Sequence, residues 1–297
     1  MNSSSPPPST QATFAIGDEA TATRIVDTLT ECYPDHDVAI AAFEAPGGRW
    51  DITMHFAEAP DEDAVRALVA TAAGGDAAQT IRFDRLETKD WVAASLEGLT
   101  PVAARRFMVH GSHDRLRVPP NKLGIEIEAA LAFGTGHHGT TRGCLILLDE
   151  VLSRRTPRSV LDLGTGTGVL AIAAAKALKR RVLASDIDAI SVQVARDNAR
   201  LNHAGPLVEA VHAVGFAAPQ FGLRGPFGLV LANILANPLR RLAKPMADHL
   251  APSAEIILSG MLPHQANSVI AAYRDNGLAL TRRLQIDGWT SLLMQRR

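Results

Sequence analysis

The run Val160-Leu161-Asp162-Leu163-Gly164-Thr165-Gly166-Thr167-Gly168 ends an apolar stretch in an acid and turns through three glycines into a second apolar stretch, Val169–Leu178. Glycines let backbone approach a ligand because they accept positive φ and carry no Cβ. A dinucleotide loop, G-x-G-x-x-G, needs its third glycine three residues after the second, and Val169 occupies that position. The dinucleotide fingerprint therefore fails. Asp186 ends the next apolar run, 181–186, about twenty residues after the first glycine, the spacing at which a carboxylate reaches a ribose diol. Asn233 follows Gly228-Leu229-Val230-Leu231-Ala232 and so stands at the carboxyl end of a strand, where open α/β sheets bind ligands. Its carboxamide oxygen can accept a hydrogen bond from an amine. His138, in Gly134-Thr135-Gly136-His137-His138-Gly139-Thr140-Thr141, offers an imidazole that titrates near neutrality and is a second candidate for catalysis or substrate contact. Plain structural readings exist as well: Asp186 as a helix cap, Asn233 as a turn residue, and Thr140 or Thr141 as the N-cap of a helix over 142–152.

These residues need elements to hold them. From residue 117 onward, strand and helix alternate: the glycine-loop unit, the Asp186 unit with Asp188 capping a helix over 189–202, then strands at 207–214, 227–234 and 255–259. That order predicts a parallel sheet with helices on both faces. A closing hairpin is expected, 278–285 and 289–295 across Asp287-Gly288, and it is foreign to dinucleotide domains. Residues 12–87 read differently, as strands near Phe14 and at 38–45, 50–58 and 79–87, with helices at 18–33 and 61–73. The order βαββαβ is that of a ferredoxin-like α+β domain. It carries no catalytic constellation and is expected to recognise substrate. Residues 88–116 read as a linker with a short helix at 89–97 and a short strand at 106–110, and residues 1–11 as a disordered tail.

The 297 residues allow two domains, and 46% hydrophobic residues suffice for a large core. A net charge of −1 conceals an asymmetry: residues 12–87 hold 15 Asp and Glu against five Arg, a net −10, while residues 88–297 carry +9. A small acidic module suggests docking of a basic partner. The two cysteines, Cys32 and Cys144, lack metal or redox spacing, which points to a reducing compartment and no metal site. The first residues have no basic or apolar region of a secretory signal, and no apolar run is long enough to span a bilayer. A cytoplasmic protein without membrane attachment, acting as a monomer, is expected.

The pattern acid-x-Gly-x-Gly-x-Gly resembles the first motif of class I methyltransferases that use S-adenosylmethionine, and implies a Rossmann-like sheet. That cofactor's methionine carboxylate is then expected at the N-terminus of the helix after the glycines. Where amino-group methyltransferases carry Asn or Asp before Pro-Pro-Tyr, this chain reads Asn233-Ile234-Leu235-Ala236. The missing aromatic removes a stacking platform for a base, and the small Ala236 is expected to leave room for an alkyl amine. Three segments narrow the resemblance: 132–141, Asn233-Ile234-Leu235-Ala236-Asn237-Pro238-Leu239, and Leu258-Ser259-Gly260-Met261-Leu262. Together with Leu86-Glu87-Thr88-Lys89-Asp90-Trp91 they resemble the ribosomal protein L11 (L-eleven) methyltransferases over the whole chain after the tail. The resemblance implies transfer of methyl groups to Lys side chains and the N-terminal amine of that ribosomal protein. It also implies that Thr141, Gly164, Gly166, Asp186 and Asn233 contact the cofactor, with Asn233 beside the target amine. The family loop commonly reads Gly-Thr-His-Pro-Thr-Thr. Here His137 replaces Thr, leaving open which imidazole acts, and Gly139 replaces Pro, which is expected to loosen the loop. Two other readings stand beside this one: an RNA methyltransferase, favoured by the +9 half but opposed by the missing aromatic and the acidic module, and a non-catalytic cofactor-binding assembly factor. Strong direct nucleic-acid binding is not expected.

Overall fold

The computed structural model describes residues 9–33, 38–45, 49–56, 59–86, 101–127 and 138–297. The chain divides into two compact units, Met1–Ala94 and Ser95–Arg297.

The smaller unit runs β1 (Ser9–Ile16), α1 (Glu19–Cys32), β2 (Val38–Ala45), β3 (Arg49–Phe56), α2 (Glu62–Ala73), α3 (Gly75–Thr80) and β4 (Arg82–Leu86). Its strands lie in the order β2-β3-β1-β4, every neighbouring pair antiparallel, which is how a βαββαβ chain lays out its sheet. Alternation places Ala12, Phe14 and Ile16 on one face, where they join Ile25 and Leu29 of α1 and Val65 and Val69 of α2 in one core. Asp18 accepts the Thr21 amide and Asp61 accepts those of Asp63 and Ala64, so both longer helices begin on an aspartate cap. Helix α3 was not anticipated, because its two buried alanines, Ala77 and Ala78, are too short a signal to set a period. The last strand consequently begins at Arg82 rather than residue 79.

The expected helix at 89–97 lies outside the described residues. Within residues 101–116, read from the sequence as linker, the expected short strand is present as β6 (Phe107–His110), and with the unanticipated β5 (Val102–Ala104) it forms a three-stranded sheet with β7 (Leu123–Glu126). Val102, Phe107, Val109 and Ile125 enter the core of the larger unit. Pairing over three or four residues leaves almost no alternation to read.

The larger unit continues with α4 (His138–Arg154), β8 (Val160–Leu163), α5 (Val169–Leu178), β9 (Val182–Asp186) and α6 (Ala189–Leu201). It then runs β10 (Val208–His212), α7 (Pro219–Arg224), β11 (Phe227–Asn233), α8 (Ala236–Asp248), β12 (Leu250–Met261), α9 (Ala266–Arg274), β13 (Leu278–Ile286) and β14 (Trp289–Arg296). The seven strands stand in the order β10-β9-β8-β11-β12-β14-β13. The first five pair in parallel, and β14 inserts antiparallel to both β12 and β13. This is the expected class I methyltransferase sheet with its closing hairpin. At the hairpin tip Asp287 and Gly288 both take positive φ, 49° and 78°, as a two-residue type I′ turn demands. Two cores cover the sheet, one under α4, α5 and α6, the other under α7, α8 and α9. The buried strands read as continuous apolar runs because both faces are covered.

Candidate functional site

The sheet order reverses at β8, whose neighbours are β9 and β11, so the loops after these three strands open at one switch point. The candidate residues converge there. Gly164, Gly166 and Gly168 take φ of 69°, 51° and 82°. A Cβ on Gly164 would stand 2.3 Å from Ile234 Cγ2, so this glycine admits the residue that follows Asn233. Gly168 lies 3.1–3.2 Å, measured from its ideal Cβ, from Ala195 of α6. It gives the close approach that the dinucleotide pattern assigns one residue later, and Val169 is simply buried.

Hydrogen bonds fix this loop from below and from both sides. The amides of Gly164 and Thr165 donate to the Ser185 carbonyl at 2.8 and 2.9 Å. Gly166 donates to Asp186 Oδ2 at 2.8 Å, and Asp188 donates to Asp186 Oδ1 at 3.0 Å. Asp188, not Asp186, caps α6, accepting from Ile190 and Ser191. Asp186 at the end of β9 therefore faces the glycine loop.

Asp162, the acid before the glycines, is 1% exposed. Its Oδ2 accepts the Thr165 hydroxyl at 2.6 Å and the Ala171 amide at 2.9 Å. Burial pushes its carboxyl up to about 6, those two donors hold it down in part, and the nearby charge of Asp186 raises it further. In the first turn of α5, where a ligand carboxylate is expected from the sequence, the Ala171 amide is taken by Asp162.

Asn233 is the last residue of β11, in register with Ser259 of β12. Its Nδ2 donates to Thr140 Oγ1 and Thr141 Oγ1 through long hydrogen bonds of 3.3 and 3.5 Å. Neither threonine is an N-cap: α4 begins at His138, so both hydroxyls come from inside its first turn. His138 is the opening residue of that turn, while Gly134, Gly136 and His137 lie outside the described residues. Gly139 was expected to loosen the segment, but it lets the helix sit down. Its Cβ would fall 2.6 Å from the Ile286 carbonyl oxygen, and that of Gly143, one turn on, 2.2 Å from Ser291 Oγ. Ser291 is in turn bonded to Ser259 Oγ at 2.8 Å. The closing hairpin thus supports the helix whose threonines hold Asn233.

Ile234 passes between two glycines. Gly164 presses on its side chain, and Gly260, at φ 90°, would place a Cβ 2.4 Å from its carbonyl oxygen. Ala236 is 5% exposed and belongs to the core beneath α8, so its small size serves packing, not substrate room. The residue exposed beyond Asn233 is Leu235, at 62%. The anchoring roles of Asp162, Thr140 and the Ser259–Ser291 pair went unread; only the Asp-x-x-Thr spacing of Asp162 and Thr165 hinted at one of them.

The family model for ribosomal protein L11 methyltransferase (PrmA) matches residues 14–297. The ribosomal protein L11 methyltransferase of Rhodopseudomonas palustris is 67% identical over 286 residues, which are 96% of this chain and 97% of that protein. The protein so named from Bradyrhizobium diazoefficiens is 65% identical over 291 residues, 98% of this chain and 99% of its own. Among solved structures, the ribosomal protein L11 methylase of Lactobacillus delbrueckii subsp. bulgaricus superposes with a TM-score of 0.60 at 27% identity, over 67% of this chain and all of that one. A methyltransferase sheet, a glycine loop facing a strand-end acid, and an asparagine held at the switch point agree with these matches, and S-adenosylmethionine is the family's methyl donor. The chain belongs to the ribosomal protein L11 methyltransferase family.

Proposed function

We propose that this protein transfers methyl groups from S-adenosylmethionine to Lys side chains and the N-terminal amine of ribosomal protein L11, in the cytoplasm. The observation that carries this reading is the Asn233 carboxamide, held by the Thr140 and Thr141 hydroxyls beside the glycine loop. The residues present fit the cofactor. Each Asp186 oxygen accepts one backbone amide and keeps a lone pair for a ribose hydroxyl. Gly164 and Gly166, at positive φ, offer backbone without side chains. When bound, the cofactor supplies an electrophilic methyl group on a sulfonium.

The chain's own residues do the rest. Gly164, Gly166, Asp186 and Thr141 hold the cofactor. Because Asn233 turns its Nδ2 toward the threonines, its oxygen is left to accept from the incoming amine and align its lone pair. A Lys amine of pKa about 10.4 is mostly protonated near neutrality, and presenting it neutral costs roughly 4 kcal/mol unless the site depresses that value. Ile187, Val214 and Leu235, just beyond the ends of β9, β10 and β11, are 46%, 64% and 62% exposed and give the mouth an apolar rim that disfavours the ammonium. No strong general base is then required. The −10 module of residues 12–87 recognises the basic protein substrate. The run Ile234-Leu235-Ala236 directly after Asn233 has no aromatic side chain to stack on a base, and this disfavours RNA as the target. Full-length protein, unmethylated L11 and cofactor with a labelled methyl group are the test. Mass spectrometry should place the label on Lys and the N-terminal amine; label in an RNA fraction, or none transferred, would overturn the proposal.

A further inference from the structure

Two buried carboxamides behind the glycine loop have no part in the chemistry above. Asn198 and Asn202 lie one turn apart at the end of α6, 3% and 5% exposed. Asn198 Nδ2 donates to the Thr167 carbonyl, between the second and third glycines, at 2.9 Å. Asn202 Nδ2 donates to the Asn198 carbonyl at 2.8 Å and to the Glu126 carbonyl at 2.6 Å, and its Oδ1 accepts the Glu126 amide at 2.8 Å. Asn202 thus pairs with both backbone groups of Glu126 as a neighbouring strand would. Lys176 adds a second tie to the same strand, donating from Nζ to the Gly124 carbonyl at 2.6 Å.

The geometry points to Asn198 as a positioning residue for the cofactor loop, with Asn202 as the brace that fixes it against β7. Three glycines in succession give this loop more backbone freedom than any neighbouring segment, and freedom lost only on binding weakens affinity. The Gly164, Thr165 and Gly166 amides are directed by β9; the peptide after Thr167 has its Gly168 amide on the Thr165 carbonyl at 2.8 Å and its carbonyl on Asn198, the one of these two partners that lies outside the loop. Holding that carbonyl toward α6 orients the next peptide plane before the cofactor arrives. Both carboxamides are buried, so neither is exchanged for water cheaply. This inference rests on reading the loop as the cofactor's cradle.

The test uses the full chain and S-adenosylhomocysteine as probe. N198D keeps shape and volume but removes the donor to Thr167, and should weaken binding about tenfold at pH 8. The KM for the protein substrate at saturating cofactor should stay within about twofold, a split that general loosening of the fold would not produce. Lowering the pH should narrow the ratio of N198D to wild-type affinity, because a protonated carboxyl donates again. N202D, which loses two donors and keeps its acceptor, should weaken binding about threefold and decides the matter if N198D does not fold. Failure of the wild type to bind the probe overturns the cradle reading itself. Normal wild-type binding, with the folded variants within twofold of it, overturns the role of Asn198 alone.

Discussion

The Gly166 amide donates to Asp186 Oδ2 at 2.8 Å, tying the loop after β8 to the acid that ends β9. One carboxylate thus shapes the glycine loop and, in the proposed function, also meets the ribose. Asp186→Ala should remove the tie and the ribose acceptor together. Charge-assisted hydrogen bonds of this kind contribute roughly 1.5–3 kcal/mol, so affinity for S-adenosylhomocysteine should fall on the order of ten- to a hundredfold in a protein that still folds. Calorimetry on the folded variant checks this, and wild-type affinity would remove Asp186 from the site.

Asn233→Ala should spare cofactor affinity and lower turnover about a hundredfold, since misaligning an attacking lone pair acts on the transition state. Single-turnover rates at saturating cofactor are the measurement. A turn residue would instead show normal rates in the folded fraction and a lower melting temperature, and a rate within threefold of wild type ends the alignment role.

Asp162 gives a pH dependence whose sign is fixed by burial. Burial pushes its carboxyl up to about 6 in the folded chain, above its ordinary value of 3.8. The protonated form is therefore favoured by folding. Its stabilising effect is fully present below about pH 4, is lost as pH rises to about 6, and is constant above that, a total on the order of 3 kcal/mol. Asp162→Asn should lack this component. Denaturant titrations of both proteins from pH 4 to 7 should show wild type losing stability relative to the variant, and parallel curves would contradict the burial argument.

Gly260→Ala and Gly277→Ala separate strain from collision. Both positions have positive φ, 90° and 82°, but only Gly260 would push a Cβ into the Ile234 backbone, while Gly277 has open space around it. Gly277→Ala should cost about 1 kcal/mol. Gly260→Ala should cost several times that and also slow methyl transfer, because Ile234 adjoins Asn233. Thermal melts with rate measurements distinguish the two, and equal effects would show that the contact with Ile234 is soft.

Removing Met1–Ala94 should leave S-adenosylhomocysteine affinity unchanged and abolish methylation of the protein substrate, as the cofactor residues all lie in Ser95–Arg297. With the full chain, the KM for that substrate should rise as salt passes through physiological strength. An undiminished rate in the truncated protein would take recognition away from the acidic module.

The sheet and the strand-end acids were legible because β8, β9 and β11 are buried on both faces and announce themselves as apolar runs. Asp188 read correctly as a cap because its partners are two and three residues away. What escaped was long-range or ambiguous in type. Thr140 and Thr141 have the composition of an N-cap, and only their contact with a residue more than ninety positions away shows that the helix starts earlier. Gly139 reads as slack until Ile286 is seen against it. Asn198 and Asn202 sit in an ordinary amphipathic helix, and no local pattern marks a carboxamide that bonds to Thr167 or Glu126.

The insertion of β14 between β12 and β13 has a consequence for synthesis. The strand that joins these two is made after both, so β13 has no sheet neighbour to pair with until β14 is complete. The glycine loop, Asp186 and Asn233 depend on strands already complete by then, and that half of the centre can organise on the growing chain. The seat of α4 on Ser291 cannot form until the hairpin has turned at Asp287 and come back. The hold of Thr140 and Thr141 on Asn233 therefore waits for the final strand.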